Sequence, residues 1–161
     1  MPSRRATAPD RHTVAQRSYN MSRIRSRDTK PELQLRRALH AAGLRYRLHD
    51  RSLAGTPDLV FSGPRVAVFV HGCFWHGHDC ALGVMPGTRS GFWEDKIRRN
   101  RVRDEASEAA LLAAGWRVLT VWECALRGRG RRSADELVGT TKAFLGTGGM
   151  SLSLAGDTPP A

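Results

Sequence analysis

Apolar positions recur along the chain with two different periods, and each period predicts an element. Leu35, Ala38, Leu39 and Ala42 fall on one helical stripe. Thr29 stands ahead of that stripe as an N-cap, with Pro31 in the first turn and Glu32 placed three residues on as the acid of a capping box; Gly43 marks the end. Residues 44–49 predict an edge strand. Two short apolar runs, PDLVF at 57–61 and RVAVFVH at 65–71, flank Ser62-Gly63-Pro64 and predict a β-hairpin. Turning at Gly63 and Pro64 sets Asp58 opposite Phe69, so His71 shares its face at a diagonal Cβ distance of roughly 7 to 8 Å. A slip of one residue would move every side chain to the other face. Farther on, a long helix is expected from Gly91 to about Ala114, capped by Ser90 and stopped by Gly115. WRVLTVWE at 116–123 predicts a strand, and residues 134–145 a last helix.

The ends are less patterned. Residues 13–25 form at most a short basic helix whose apolar points are Met21 and Ile24, too polar for a core. We expect a flexible basic arm over residues 1–17, one folded unit over 18–145, and a disordered Gly/Ser/Pro-rich tail over 146–161. The order of elements predicts an α/β layer structure with a small mixed sheet flanked by helices.

Composition narrows the partners. At 161 residues the chain has one domain's worth of core. Its 26 Lys and Arg against 15 Asp and Glu leave a net charge of +11. A polyanion is therefore the expected partner, nucleic acid first and an anionic membrane surface second. No stretch reaches the roughly 18 to 20 apolar residues of a membrane span, and the first residues lack the apolar core of a signal peptide. The expected setting is cytoplasmic. In a reducing compartment the three cysteines predict thiols or metal ligands rather than disulfides.

Candidate chemistry concentrates between Val66 and Cys80, VAVFVHGCFWHGHDC. Cys73, His76, His78 and Cys80 lie close together, and Cys124 follows a later strand. Zn²⁺ takes four nitrogen or sulfur ligands, so these residues can supply a closed structural site, although spacing leaves open which histidine binds. The plainer alternative is buried cysteines acting as small hydrophobes. Asp58 alone would read as a turn carboxylate; beside His71 it can anchor Mg²⁺ for phosphodiester hydrolysis. Glu32 has a structural reading as the capping-box acid. Asp104 shares a helix side with Trp93, Ile97 and Asn100, where an acid is unexpected. Phe74 and Trp75 are consecutive in a Gly-flanked polar segment, so both cannot easily face one core, and such a pair on a basic protein can wedge between base pairs. Trp116 and Trp122 read as core.

Taken together, HGCFWHGHDC, the preceding GTPDLVF, the later FWEDKIRRN and GWRVLTVWECALRG, and the upstream NMSRIRSRDTKPE closely resemble the very short patch repair (Vsr) DNA mismatch endonucleases. The likeness runs from about Ser18 to Arg129. It implies a restriction-endonuclease-like core that nicks double-stranded DNA 5′ of the mispaired T in T·G mismatches left by deamination of 5-methylcytosine. It further implies that Asp58 and the main-chain carbonyl of Val70 hold catalytic Mg²⁺. His71 and His76 would flank the scissile phosphate, with Glu32 and Asp104 in support. Cys73, His78, Cys80 and Cys124 would hold structural Zn²⁺; Phe74, Trp75 and Trp93 would intercalate, with Met21 approaching from the minor groove. A monomer, nucleoid-associated and with repair-protein partners, is expected. The wider nuclease superfamily's acidic-x-Lys pair is missing, since Phe69-Val70-His71 follows Asp58, so histidine chemistry must replace the lysine; Gly77 stands where the family has a third histidine. Two rival functions remain: a nicking endonuclease without mismatch preference, and a zinc-containing DNA-binding protein without catalysis.

Overall fold

The computed structural model describes residues 13–157. Among the described residues five strands make one sheet in the order β1-β2-β3-β4-β5: β1 (Arg47–Leu48), β2 (Leu59–Phe61), β3 (Val66–His71), β4 (Arg117–Trp122) and β5 (Ser151–Leu154). The first three pair antiparallel, whereas β4 runs parallel to both β3 and β5. The mixed α/β layer predicted from the pattern is therefore present. Helices are α1 (Val14–Ser22), α2 (Lys30–Ala41), α3 (Ser90–Ala113), α4 (Glu123–Leu126) and α5 (Ala134–Gly146). Parallel strands need a long crossover, which α3 supplies between β3 and β4, and α5 between β4 and β5.

Both faces of the sheet are covered, and β3 shows it by burying successive residues. Val66 and Val68 join Leu35 and Leu39 of α2 and Leu137 and Phe144 of α5 in the larger core. Ala67 faces the other way, toward Leu111 and Val118, with Phe69 and Trp116 packed alongside. Each fully buried leucine here contributes roughly 1.5 to 3 kcal/mol of transfer free energy.

The hairpin has the expected register: Leu59 pairs with Val68 and Phe61 with Val66, which sets Asp58 across from Phe69. Other expectations change in detail. Ser90 is the first residue of α3 rather than its cap; Arg89, at φ +56°, precedes it without a capping hydrogen bond. The N-terminal arm falls mostly outside the described residues, but residues 14–17 belong to α1, where Thr13 and Gln16 close a capping box. Trp116 and Trp122 are only partly buried.

The largest correction concerns the tail. Ser151–Leu154 form a strand rather than a disordered segment, and Leu154 is 6% exposed in the main core. Gly and Ser lower intrinsic strand propensity, yet β4 would otherwise be an open edge with unpaired backbone groups. Val118 N–H donates to the Met150 carbonyl at 2.9 Å as the pairing begins. Tertiary pairing outweighs composition here. Among the described residues no helix is long and apolar enough to cross a membrane.

Candidate active site and metal centre

β3 ends at His71, and the chain then coils through residues 72–83. The tightest of the turn bonds that shape this coil are His78 N–H to the Cys73 carbonyl at 2.9 Å, Cys80 N–H to that of His78 at 3.0 Å, and Gly83 N–H to that of Cys80 at 2.9 Å. Next door, β4 runs parallel in register, His71 beside Trp122, so Cys124 arrives level with Cys73. The result is a knot in which ligand atoms of Cys73, His78, Cys80 and Cys124 all lie within 4.8 Å of one another. The three cysteines are free and buried.

The donor set fits Zn²⁺. Tetrahedral zinc with sulfur at about 2.3 Å needs neighbouring sulfurs roughly 3.8 Å apart. Burial pushes the Cys73 and Cys124 thiols up, because ionised sulfur loses its water and the neighbouring cysteines repel it. Two backbone donors nevertheless point at sulfur: Cys124 N–H to Cys73 Sγ and Gly156 N–H to Cys124 Sγ, both at 3.3 Å. Such donors suit thiolates bound to a dication. His78 Nδ1 lies 3.6 Å from Cys124 Sγ, and Trp122 stacks on the His78 ring at 4.4 Å. His78, not His76, is thus the histidine of this cluster.

His76 turns to the other side. Its ring stacks on His71 with centroids 3.9 Å apart and planes 1° from parallel, and its Nδ1 meets Asp104 Oδ2 at 2.5 Å. Asp104 reaches in from α3, which explains an acid on that helix face. Across the hairpin, Asp58 Oδ2 accepts the Val70 N–H at 2.7 Å. Burial pushes Asp58 up to about 6, and the charge of Glu32 adds to this; the Val70 N–H and nearby histidines pull the other way. Desolvation, with the charge of His76, holds His71 down at about 4. Asp58, Val70, His71, His76 and Asp104 line one open cleft of about 490 Å³. A desolvated carboxylate close to a second acid suits a hard divalent cation held by oxygen donors.

Glu32 overturns its capping-box reading. Thr29 Oγ1 does accept the Glu32 N–H, but the carboxylate points inward, 2% exposed, to His49 Nε2 at 2.7 Å and Arg36 Nη1 at 3.2 Å. A guanidinium and an imidazole nitrogen together hold a buried carboxylate better than one neutral N–H at the cap. His49 was not foreseen; a lone histidine in a loop carries no sequence signal. Nor was Glu123, whose Oε2 accepts the Cys73 N–H at 3.1 Å, although it adjoins Cys124.

The aromatic residues form a separate cluster. Ring centroids of Phe74 and Trp75 are 5.0 Å apart, Phe74 and Trp93 5.3 Å, and Trp75 and Trp93 5.9 Å. Phe92, 5.1 Å from Trp93 and 48% exposed, extends it. Asn100 Nδ2 donates to the Trp75 carbonyl at 2.8 Å, and Lys96 Nζ lies 5.2 Å from the Trp75 ring. Met21 of α1 shares a second hollow, about 480 Å³, with Trp75, His76, Lys96 and Asn100. Partly exposed aromatics beside a cation offer stacking surface and phosphate attraction together. Arg98, Arg99 and Arg103 carry that positive surface along α3.

The chain is similar to known proteins over most of its length. The family model for the DNA mismatch endonuclease Vsr matches residues 9–82. The chain is 50% identical over 125 residues to the type II nicking enzyme V.XorIIP of Xanthomonas oryzae pv. oryzae, covering 78% of this chain and 92% of that one. It is 48% identical over 128 residues to the DNA mismatch endonuclease Vsr of Escherichia coli, covering 80% and 82% respectively. With the type II nicking enzyme V.NmeAIP of Neisseria meningitidis it shares 42% over 120 residues, 74% of this chain and 86% of the relative.

Proposed function

The chain belongs to the Vsr DNA mismatch endonuclease family, and from that premise we propose that it is a Mg²⁺-dependent endonuclease with a restriction-endonuclease-like core. Its reaction is a nick in duplex DNA 5′ of the mispaired T in T·G mismatches produced by 5-methylcytosine deamination. One observation carries this reading: the hairpin sets Asp58 beside a stacked His71–His76 pair oriented by Asp104, directly adjoining the aromatic cluster.

Asp58 and the Val70 carbonyl are the oxygen donors for Mg²⁺, which when bound polarises the phosphate and offsets charge on the leaving oxygen. His76 is the proton-transfer residue. Asp104 engages its Nδ1, which fixes the ring and directs the opposite nitrogen to the reacting phosphate. His71, held down at about 4, is uncharged at neutral pH and forms a flat wall against which His76 keeps its orientation. Phe74, Trp75 and Trp93 wedge into the stack from one side and Met21 from the other, a mode that favours a mismatch because it unstacks more easily than paired DNA. Cys73, His78, Cys80 and Cys124 hold structural Zn²⁺. The protein acts as a cytoplasmic, nucleoid-associated monomer and hands the nick to repair proteins.

Nicking of oligonucleotide duplexes that differ only in T·G or T·A at one position, with Mg²⁺, tests the claim. Equal nicking of both sinks mismatch recognition and favours the second reading, an endonuclease without mismatch preference, which the names of the nicking-enzyme relatives support. Asp58→Ala separates both from a non-catalytic DNA-binding protein: we expect a rate lower by at least about a hundredfold, with DNA binding retained.

A further inference from the structure

We propose that His49 is a positioning residue of the cleft, tethering the Glu32 carboxylate from the sheet side so that it stays beside Asp58. The inference rests on the reading of Asp58 and Glu32 as the acids of a cation-dependent site. His49 directly follows β1 and makes two contacts, of which the backbone one extends the β1–β2 ladder by a residue and the ring one goes beyond strand pairing. Its N–H donates to the Asp58 carbonyl at 3.2 Å, and its Nε2 reaches Glu32 Oε1 at 2.7 Å. One residue thereby ties α2 to the start of β2, where the cleft opens.

The other partners of Glu32 cannot do this. Arg36 lies one turn along the same helix, and Thr29 bonds only the Glu32 backbone, so both move with α2. Among the described residues, the hydrogen bond that holds the Glu32 side chain to the sheet is the one from His49. Two acids near each other with little water between them repel, so an untethered Glu32 would swing away from Asp58. A tether already in place before any cation binds is preorganisation, which lowers the cation concentration the site needs. The backbone adds a second sign of constraint. His49 sits at φ +47°, a left-handed conformation in which glycine or asparagine would be more comfortable. Histidine is held there with its ring turned to Glu32.

His49→Asn and His49→Gln provide the test. Asparagine tolerates the backbone but its amide stops one bond short of Glu32, whereas glutamine reaches as far as histidine and restores a donor. Nicking of a T·G duplex is measured across Mg²⁺ concentrations, with thermal melting and zinc content as controls. We expect H49N to need about tenfold more Mg²⁺ for half-maximal rate, with wild-type zinc content, and H49Q to stay within about twofold of wild type. A wild-type Mg²⁺ dependence in H49N, or a defect in H49Q equal to that of H49N, overturns the proposal. Should H49N melt below the assay temperature, an H49Q variant that melts normally yet needs as much Mg²⁺ as E32A also overturns it. D58A in the same assay distinguishes the levels: if D58A nicks normally, the reading of the cleft has failed; if D58A is inactive while H49N matches wild type, only the tether has failed.

Discussion

Two sites grow out of the same short stretch after β3, and they treat their polar groups in opposite ways. In the Cys73-His78-Cys80-Cys124 knot the ligand atoms face one another, the sulfurs are buried and backbone N–H groups are aimed at them. In the cleft, Asp58, His71 and His76 face a shared open space, and each is held by a neighbour: Val70 N–H on Asp58, Asp104 on His76, and the two stacked imidazoles on each other. A closed set of donors stabilises a fold, because nothing is left over for a substrate. An open set, each member held by a neighbour, keeps its reactive edges for a ligand and bears the desolvation this entails. That difference explains why loss of a member should read out as stability in one site and as rate in the other.

The sharpest way to break the contrast is Cys124→Ala. Structural zinc supplies on the order of 10 kcal/mol in small zinc domains, so this variant should lose its bound zinc and most of its soluble folded yield, measured by elemental analysis and thermal melting. Full zinc occupancy in C124A would contradict the ligand set. Next in size is His76→Ala, expected to lower the nicking rate by about a hundredfold or more with zinc content and melting unchanged. Asp104→Asn should show a smaller loss of the same kind, since it weakens the hold on His76 without removing it.

A third test sharpens the contrast through pH. Asp58 is raised from an ordinary 3.8 to about 6 in the folded protein. Its stabilising contribution is therefore fully present below pH 3.8 and lost as pH rises through about 6. Ionised Asp58 at pH 8 without Mg²⁺ should cost stability on the order of 2 to 3 kcal/mol. Asp58→Asn should accordingly melt higher than wild type at pH 8 in magnesium-free buffer, with the gap closing toward pH 4, while losing activity. His71 has the opposite sign: lowered from 6.5 to about 4, it contributes stability above pH 6.5 that is lost as pH falls through about 4. An unchanged melting temperature in D58N at pH 8 would remove the claim that the cleft carries a functional cost.

The smallest effect is expected at Gly156. An added Cβ would lie 2.3 Å from the Cys124 carbonyl oxygen and 2.6 Å from that of Gly130, so Gly156→Ala must lift the strand-end strap off the knot. Zinc transfer to a chelating dye should become several-fold faster and stability should fall by about 1 to 3 kcal/mol, with little change in the rate of zinc-loaded enzyme. Zinc release at the wild-type rate would show that the strap only covers the site.

Much of this was legible without coordinates because the chemistry is local. The short apolar runs VAVFVH and PDLVF specify strands, the intervening Ser-Gly-Pro specifies the turn, and together they set Asp58 on the side of His71. Ligand types in HGCFWHGHDC and the distal Cys124 specify a zinc-compatible donor set. What residue spacing could not decide were choices among equivalent groups. His76 and His78 are the same residue type two positions apart; Asp104, brought in by a helix, engages one, and Cys124, brought in by a parallel strand, lies against the other. Glu32 fits a capping box by spacing, until the fold offers His49 and Arg36 to a carboxylate with no water left around it. The Gly/Ser-rich tail lacks strand propensity, until the open edge of β4 pairs with it. Residue types and periodicities carry the inventory of chemistry and the local geometry. Partner choice belongs to the tertiary structure, because hydrogen bonds and ligand contacts depend on distances between segments that spacing along the chain does not encode.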